Sequence, residues 1–200
     1  MKTRLTHPLV RLAFAVALLV FAGASLCQAQ ITVYAKFLDG TGVWAGESTA
    51  PGRTGWAELS SLSFGGSNAV TLSGAGGGAS VGPHKFDDIV LTKHVDRLSP
   101  QIFITLAGGT PLTTGSTADV TFEFVRTAAA GPVTFFRVEY MTAYFKSLKS
   151  SSAAGDDSLI ENVTLLAGSV RITYWPILAN GSQGTPIVRM WNAITNTPTF

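Results

Sequence analysis

The sequence predicts a mainly β protein: an antiparallel β-barrel or two-sheet sandwich with one short flanking α-helix at about 99–108. Three observations carry this. DVTFEFVR at 119–126 alternates strictly, with Val120, Phe122 and Phe124 on one side and Thr121 and Glu123 on the other, the period of a half-buried strand. Short runs of β-branched and aromatic residues recur along the chain between clusters of Gly, Asn, Ser and Pro. Only one segment, SPQIFITLAGG at 99–109, carries the punctuation of a helix.

Taken in order, ITVYAKFL (31–38) reads as the first strand and stops at Asp39-Gly40, and a loop of Gly, Thr, Ser and Pro continues to about Thr54. WAELSSLSFG (56–65) and NAVTL (68–72) are short strands around Gly65-Gly66, SGAGGGASVGP (73–83) is a flexible loop, and FDDIVLTK (86–93) is the next strand. In the helix, Ser99 is the expected N-cap, Pro100 the first helical residue and Gly108-Gly109 the stop. Ile102, Phe103, Leu106 and Ala107 would form its buried stripe. After 119–126, VTFFRVEYMTAYFKSL (133–148) reads as one long strand, with Phe136, Val138, Tyr140 and Tyr144 on one face. The polar loop 149–158 leads into ENVTLLAGSVRITYW (161–175), interrupted at Gly168. TPIVRMWNAIT (185–195) is one more strand, beyond a turn at Asn180-Gly181.

The ends and composition narrow the class further. Residues 1–29 have a basic start (Lys2, Arg4, Arg11), an uncharged apolar run from Leu12 to Ser25, and small residues at Cys27 and Ala29. That is the layout of a secretory signal with cleavage after Ala29, and the apolar run is short for a membrane span. Three of the 14 Lys+Arg and none of the 12 Asp+Glu lie in this segment, so residues 30–200 carry 11 basic against 12 acidic side chains. A balance so near neutral gives no reason to expect nucleic acid as a partner, and none is expected with a membrane once the signal is gone. The single cysteine, Cys27, also belongs to the signal, so an exported domain of 30–200 rests on its core rather than on disulfides. Charged residues make up only 13% of the chain, which suits a surface covered by other copies of itself.

No residue pattern specifies catalysis, a cofactor or a metal. GAGGGA (74–79) is followed by Gly82-Pro83 and a strand, not by the helix N-terminus that a dinucleotide loop needs. Asn180-Gly-Ser-Gln-Gly has Asn where a nucleophile elbow requires Gly. His94 and Asp96 project to one face of a strand with His84 a loop away, but a zinc or calcium site would want a third and fourth convergent ligand. Asp87 and Asp88 would point to opposite faces, so a solvated strand end is the reading preferred. The carboxylates show no pair at glycosidase spacing, although distant strands can bring such pairs together.

Several stretches, in order, resemble the haemolysin-coregulated protein (Hcp) family, the tube subunit of bacterial type VI secretion. They are Ala35 to Asp39-Gly40, the Gly46-Glu47-Ser48 loop, Leu59 to Gly65, and Glu161-Asn-Val-Thr-Leu165 through Val170 to Tyr174-Trp175-Pro176. The most specific is Leu91-Thr92-Lys93-His94-Val95-Asp96-Arg97-Leu98-Ser99-Pro100, which is similar to the family's Phe-Thr-Lys-x-x-Asp-Lys-x-Ser-Pro run. The resemblance covers about 31–184 and implies a barrel of two antiparallel sheets with a flanking helix. It also implies a homo-oligomeric ring of six subunits, stackable into a tube whose bore carries secreted effectors.

On that basis the chain is expected to be a single Hcp-like domain over 30–200, with a C-terminal extension at about 185–200. Its structural motif residues are Asp39, Gly40, Gly46, Glu47, Ser48, Thr92, Lys93, Asp96, Ser99, Pro100, Glu161, Tyr174 and Pro176. Trp44, Glu47 and Arg53 are assigned to a ring-stacking loop. It departs from the family in its signal-like start, in five residues rather than about two between Asp39-Gly40 and Gly46, and in its tail. The rival readings are an extracellular binding module for glycan or protein, presenting Trp44, Trp175 and Trp191 as a platform, and a secreted hydrolase.

Overall fold

A computed structural model describes residues 30–72, 78–112, 115, 117–128, 131–155 and 157–200. The expected signal segment, and most of GAGGGA, lie outside the described residues. Among the described residues, thirteen strands and one helix follow in chain order: β1 (Ile31–Asp39), β2 (Gly42–Val43), β3 (Ala57–Leu59), β4 (Ser61–Ser63), β5 (Gly66–Leu72), β6 (Ala79–Phe86), β7 (Ile89–His94), α1 (Ser99–Gly108), β8 (Val120–Ala128), β9 (Gly131–Met141), β10 (Tyr144–Ser151), β11 (Ile160–Leu166), β12 (Ser169–Tyr174) and β13 (Ile187–Asn192).

Alternation and register together build two facing sheets. A seven-stranded sheet runs β13-β12-β9-β8-β1-β2, with β3 also paired to β1. A four-stranded sheet runs β10-β11-β7-β4, and every registered pair in both is antiparallel. In the larger sheet, register lines up Ala35, Phe122, Val138 and Ile172 in one inward row, and Phe37, Val120, Tyr140 and Val170 in the next. These rows pack on Ile89 and Leu91 of β7, Val163 and Leu165 of β11 and Phe145 of β10. That is the alternation read from 119–126, carried across the sheet by its neighbours.

Several boundaries differ from the sequence expectation, and the run 56–65 is split into β3 in the larger sheet and β4 in the smaller. The run 133–148 is not one strand: Thr142 takes a left-handed backbone (φ 54°), and the chain passes there from the larger sheet into the smaller. Asp119 fixes this corner by accepting the Ala143 N–H at 3.1 Å, and Ala143 also bridges to Leu112. Tyr144 consequently lies on the other sheet, exposed, rather than sharing the inward face of Tyr140. The second difference is that residues 79–83 extend strand β6 instead of belonging to a loop, and pair with β5. Third, Asp87 and Asp88 sit in the connection before β7, not within the strand.

The helix forms where expected, but its buried stripe is narrower. Leu98, Ile102 and Leu106, one turn apart, face the core; Phe103 is 57% exposed and Ala107 is also exposed. Gly109, in the left-handed region at φ 62°, ends it by returning its N–H to the Leu106 carbonyl.

Candidate functional site

The densest arrangement of polar groups lies where β7, α1 and β11 meet. The alternation of β7 turns Lys93 inward, fully buried, at a register position directly opposite Glu161 of β11. Its ammonium lies 2.7 Å from Asp96 Oδ1 and 2.9 Å from Glu161 Oε2, and donates at 3.0 Å each to Ser99 Oγ and the His94 carbonyl. Ser99 Oγ donates to Glu161 Oε2 at 2.7 Å and accepts the Asp96 N–H at 3.1 Å, while Asp96 Oδ1 accepts the Leu98 N–H at 2.9 Å. One buried cation thus joins two carboxylates, a hydroxyl and a turn, so the strand end, the helix start and the neighbouring strand cannot move independently.

This geometry corrects the expected cap. Ser99 is the first helical residue, the N-cap position belongs to Leu98, and no side chain caps the helix there. The Ser99 hydroxyl serves the lysine node instead, and Pro100 occupies the first turn without needing a partner for its nitrogen. Thr92, on the opposite face of β7, donates to Asn162 Oδ1 at 2.9 Å. His94 is exposed, and its ring Nδ1 lies 2.8 Å from Ser158 Oγ. Among the described residues no group of three His, Cys, Asp or Glu side chains is placed to hold a metal ion.

The loop following β1 is built in the same way. Asp39 Oδ1 accepts the Thr41 N–H at 2.7 Å, turning the chain through Gly40 so that Gly42, at φ 129°, starts the return strand β2. Burial pushes the Asp39 carboxyl up, but hydrogen bonds from Thr41 and Trp44 and from the Thr41 and Gly42 backbone outweigh it and hold its pKa below the ordinary value. Gly46 is required by space: a Cβ there would sit 2.5 Å from the Trp56 carbonyl oxygen, because the loop strand runs against 55–57 through Gly46 N–H to Gly55 O and Ser48 N–H to Trp56 O.

Two of the three residues assigned to ring stacking turn into the subunit. The added loop residue Trp44 is 8% exposed and packs between Phe37 and Phe145, at centroid distances of 6.1 and 6.0 Å. Five residues between Asp39-Gly40 and Gly46 give the indole the reach to enter the core, so it is a packing residue and not an outward contact. Arg53 donates through Nε to Glu123 Oε2 at 2.9 Å, bonds Thr134 Oγ1 and lies over the Tyr34 ring. Of the three, Glu47 alone faces outward.

Composition and spacing gave no sign of a charge ladder on the outer face of the larger sheet. Arg53 and Arg137 both reach Glu123, and Arg171 binds both oxygens of Glu139 at 2.8 Å. The alternation signal was available, since Glu123, Arg137 and Glu139 occupy the face opposite the aromatic rows. The hydrogen bonds to Glu139 hold the Arg171 guanidinium's pKa above its ordinary value. The ring of Phe200 lies 4.3 Å from that guanidinium, and Ile194 occupies the space beside Gly168. The expected C-terminal extension is therefore part of the sheet: β13 pairs along all of β12, and Tyr174 and Pro176 sit at the corner where it begins. Trp175 and Trp191 are half-buried at opposite ends of β12, and Trp44 is in the core, so the three indoles form no common platform.

Two packed antiparallel sheets locked to one helix by a lysine node define a β-barrel scaffold with motif residues at its seam. Residues 34–174 match the sequence model of the family described as type VI secretion system effector, Hcp. The chain belongs to the Hcp family. It is 26% identical over 110 residues to protein hcp1 of Pseudomonas aeruginosa, an alignment covering 54% of this chain and 65% of that protein. Among solved structures, one titled as a type six secretion system protein superposes with a TM-score of 0.74 at 23% identity, covering 84% of this chain and 99% of the other. Hcp1 of Salmonella typhimurium gives 0.65 at 17% identity, covering 86% and 100%. These likenesses show the fold, mainly β with one short helix, as the alternation and the helix punctuation predicted.

Proposed function

We propose that residues 30–200 are a ring-forming structural subunit of the type VI secretion tube type, without catalytic activity, that assembles in sixes and holds effector proteins in the bore. The observation that carries this reading is the assembled Lys93–Asp96–Ser99–Glu161 node, which brings the family's most specific motif together as architecture and leaves no free reactive group at that seam. Open edges support it: β4 and β10 end the smaller sheet, and among the described residues the eight-residue β10 pairs with another strand on one side alone. Such an edge accepts another chain.

Export is assigned to residues 1–29, which act as a cleaved Sec-type signal and deliver the subunit outside the cytoplasm. No helix among the described residues is long and apolar enough to cross a membrane. Stacking of rings is assigned to the loop around Glu47 and Ser48.

The test is the mass in solution of chain 30–200, by sedimentation or native mass spectrometry across a range of concentrations. A six-subunit species visible as rings by electron microscopy is the expected result; a monomer at the highest concentration overturns the assignment. N-terminal sequencing of the exported protein should begin at Gln30.

A further inference from the structure

Cleavage after Ala29 leaves a glutamine as the first residue of the processed chain. The structure places that residue just outside the sheet. Registered pairing of β1 with β8 begins at Ile31, opposite Arg126, and runs without a break to Phe37, whereas Gln30 has no partner in the ladder. Gln30 is exposed, and among the described residues its side chain takes part in no hydrogen bond or ion pair. It lies at the rim of a groove of about 500 Å³, whose walls also carry Glu47 and Glu58.

A glutamine in this position holds both halves of a reaction. Its freed α-nitrogen is the nucleophile, and its own side-chain amide carbon, Cδ, is the electrophile. A bond forms from the α-nitrogen to Cδ and closes a five-membered lactam. The bond from Cδ to Nε2 breaks, and Nε2 leaves as ammonia with the proton that the amine gives up. The step consumes no oxidant, reductant or second substrate. It needs a neutral amine, and an α-amine titrates near pH 8, about one unit above neutrality. It also needs a side chain free to fold back on its own nitrogen, which an unpaired, exposed residue ahead of the first ladder pair supplies. Gln101 and Gln183 keep their nitrogens in peptide bonds, and the Gln183 amide donates to the Thr134 carbonyl at 2.7 Å.

We propose that Gln30 is a modification site: once released from Ala29 it closes to the pyroglutamyl lactam. The proposal rests on the export reading. The product has no α-ammonium, so the Glu47 and Glu58 carboxylates of the groove gain no cation from the chain end. It also has no free amine for an aminopeptidase to grip, and the residue behind it, Ile31, is the first rung of β1.

The test is the intact mass of the exported protein, taken fresh and after ageing at neutral pH. The expected species is chain 30–200 lighter by one ammonia, growing at the expense of the full 30–200 mass, with peptide mapping placing the loss on Gln30. The fraction still bearing a free amine is what N-terminal sequencing reads at Gln30. Gln30→Ala should age without that loss. A 30–200 chain that loses no ammonia, or a Gln30→Ala chain that loses it equally, overturns the lactam and leaves the export reading intact. A chain that starts elsewhere, or that keeps residues 1–29, overturns both.

Discussion

Replacing Glu161 with Ala removes the carboxylate that a fully buried ammonium faces, and leaves Lys93 with Asp96 as its one anionic partner. Glu161 is 3% exposed, so water cannot take its place without opening the seam between β7 and β11. Breaking a buried pair by deleting one member costs about 3–5 kcal/mol, far more than the pair's net worth, because the other charge remains desolvated. At about 2–4 °C per kcal/mol for a domain of this size, the melting temperature should fall by roughly 6–20 °C. Glu161→Gln keeps the volume and an acceptor for Ser99, and should cost about 1–3 kcal/mol. Urea unfolding followed by tryptophan fluorescence measures both, since Trp44 sits in the core. Pairing Lys93→Met with Glu161→Leu removes both charges, so the double variant should cost clearly less than the sum of its singles. A loss below about 1 kcal/mol for Glu161→Ala, or strict additivity in the double, would refute the claim that the node locks the seam.

Two further outcomes follow from the loop after β1. Trp44→Ala should destabilise the subunit by about 3–5 kcal/mol in urea unfolding, as expected for a core aromatic; a variant of unchanged stability that fails only to associate rings would return Trp44 to the surface. The Asp39 carboxyl, held below its usual range when folded, contributes stability that is present above its unfolded pKa and lost as pH falls through the folded one. Thr41→Val should therefore raise the Asp39 midpoint in a carboxyl NMR titration, and an unmoved midpoint would show that the Thr41 hydroxyl does not hold it.

The sheets and the helix were legible because they rest on local rules. Period-two alternation put Phe122 and Val138 in the core, and Gly108-Gly109 ended the helix, without any knowledge of neighbours. What was not legible depends on contacts far apart in the chain. The corner at Thr142 is set by Asp119, more than twenty residues upstream, so 133–148 reads as continuous by itself. Ser99 has the residue type and position of an N-cap, but a buried lysine and a glutamate from β11 compete for its hydroxyl and win. Trp44 in a Gly-rich loop reads as exposed, because nothing nearby shows that Phe37 and Phe145 leave it a slot. Lys93 was named from its place in a motif; its burial came from β-alternation meeting a partner register that one sequence does not display.

Part of the chain's sparse charge is committed to tying the subunit together, and this bears on association. Lys93, Asp96 and Glu161 are committed inside the seam, while Arg53, Glu123, Arg137, Glu139 and Arg171 are committed across the outer face of the larger sheet. The other charged side chains are spread thinly over the remaining surfaces, in a chain with only 13% charged residues. Those surfaces include the hairpin face of Val70, Leu72 and Val81 and, on the helix, Phe103 and Ile104 at 57% and 64% exposure. A monomer built this way would be open to indiscriminate contact. Association with other copies, as proposed for residues 30–200, would cover these patches, which is why a single-subunit species at high concentration overturns that reading.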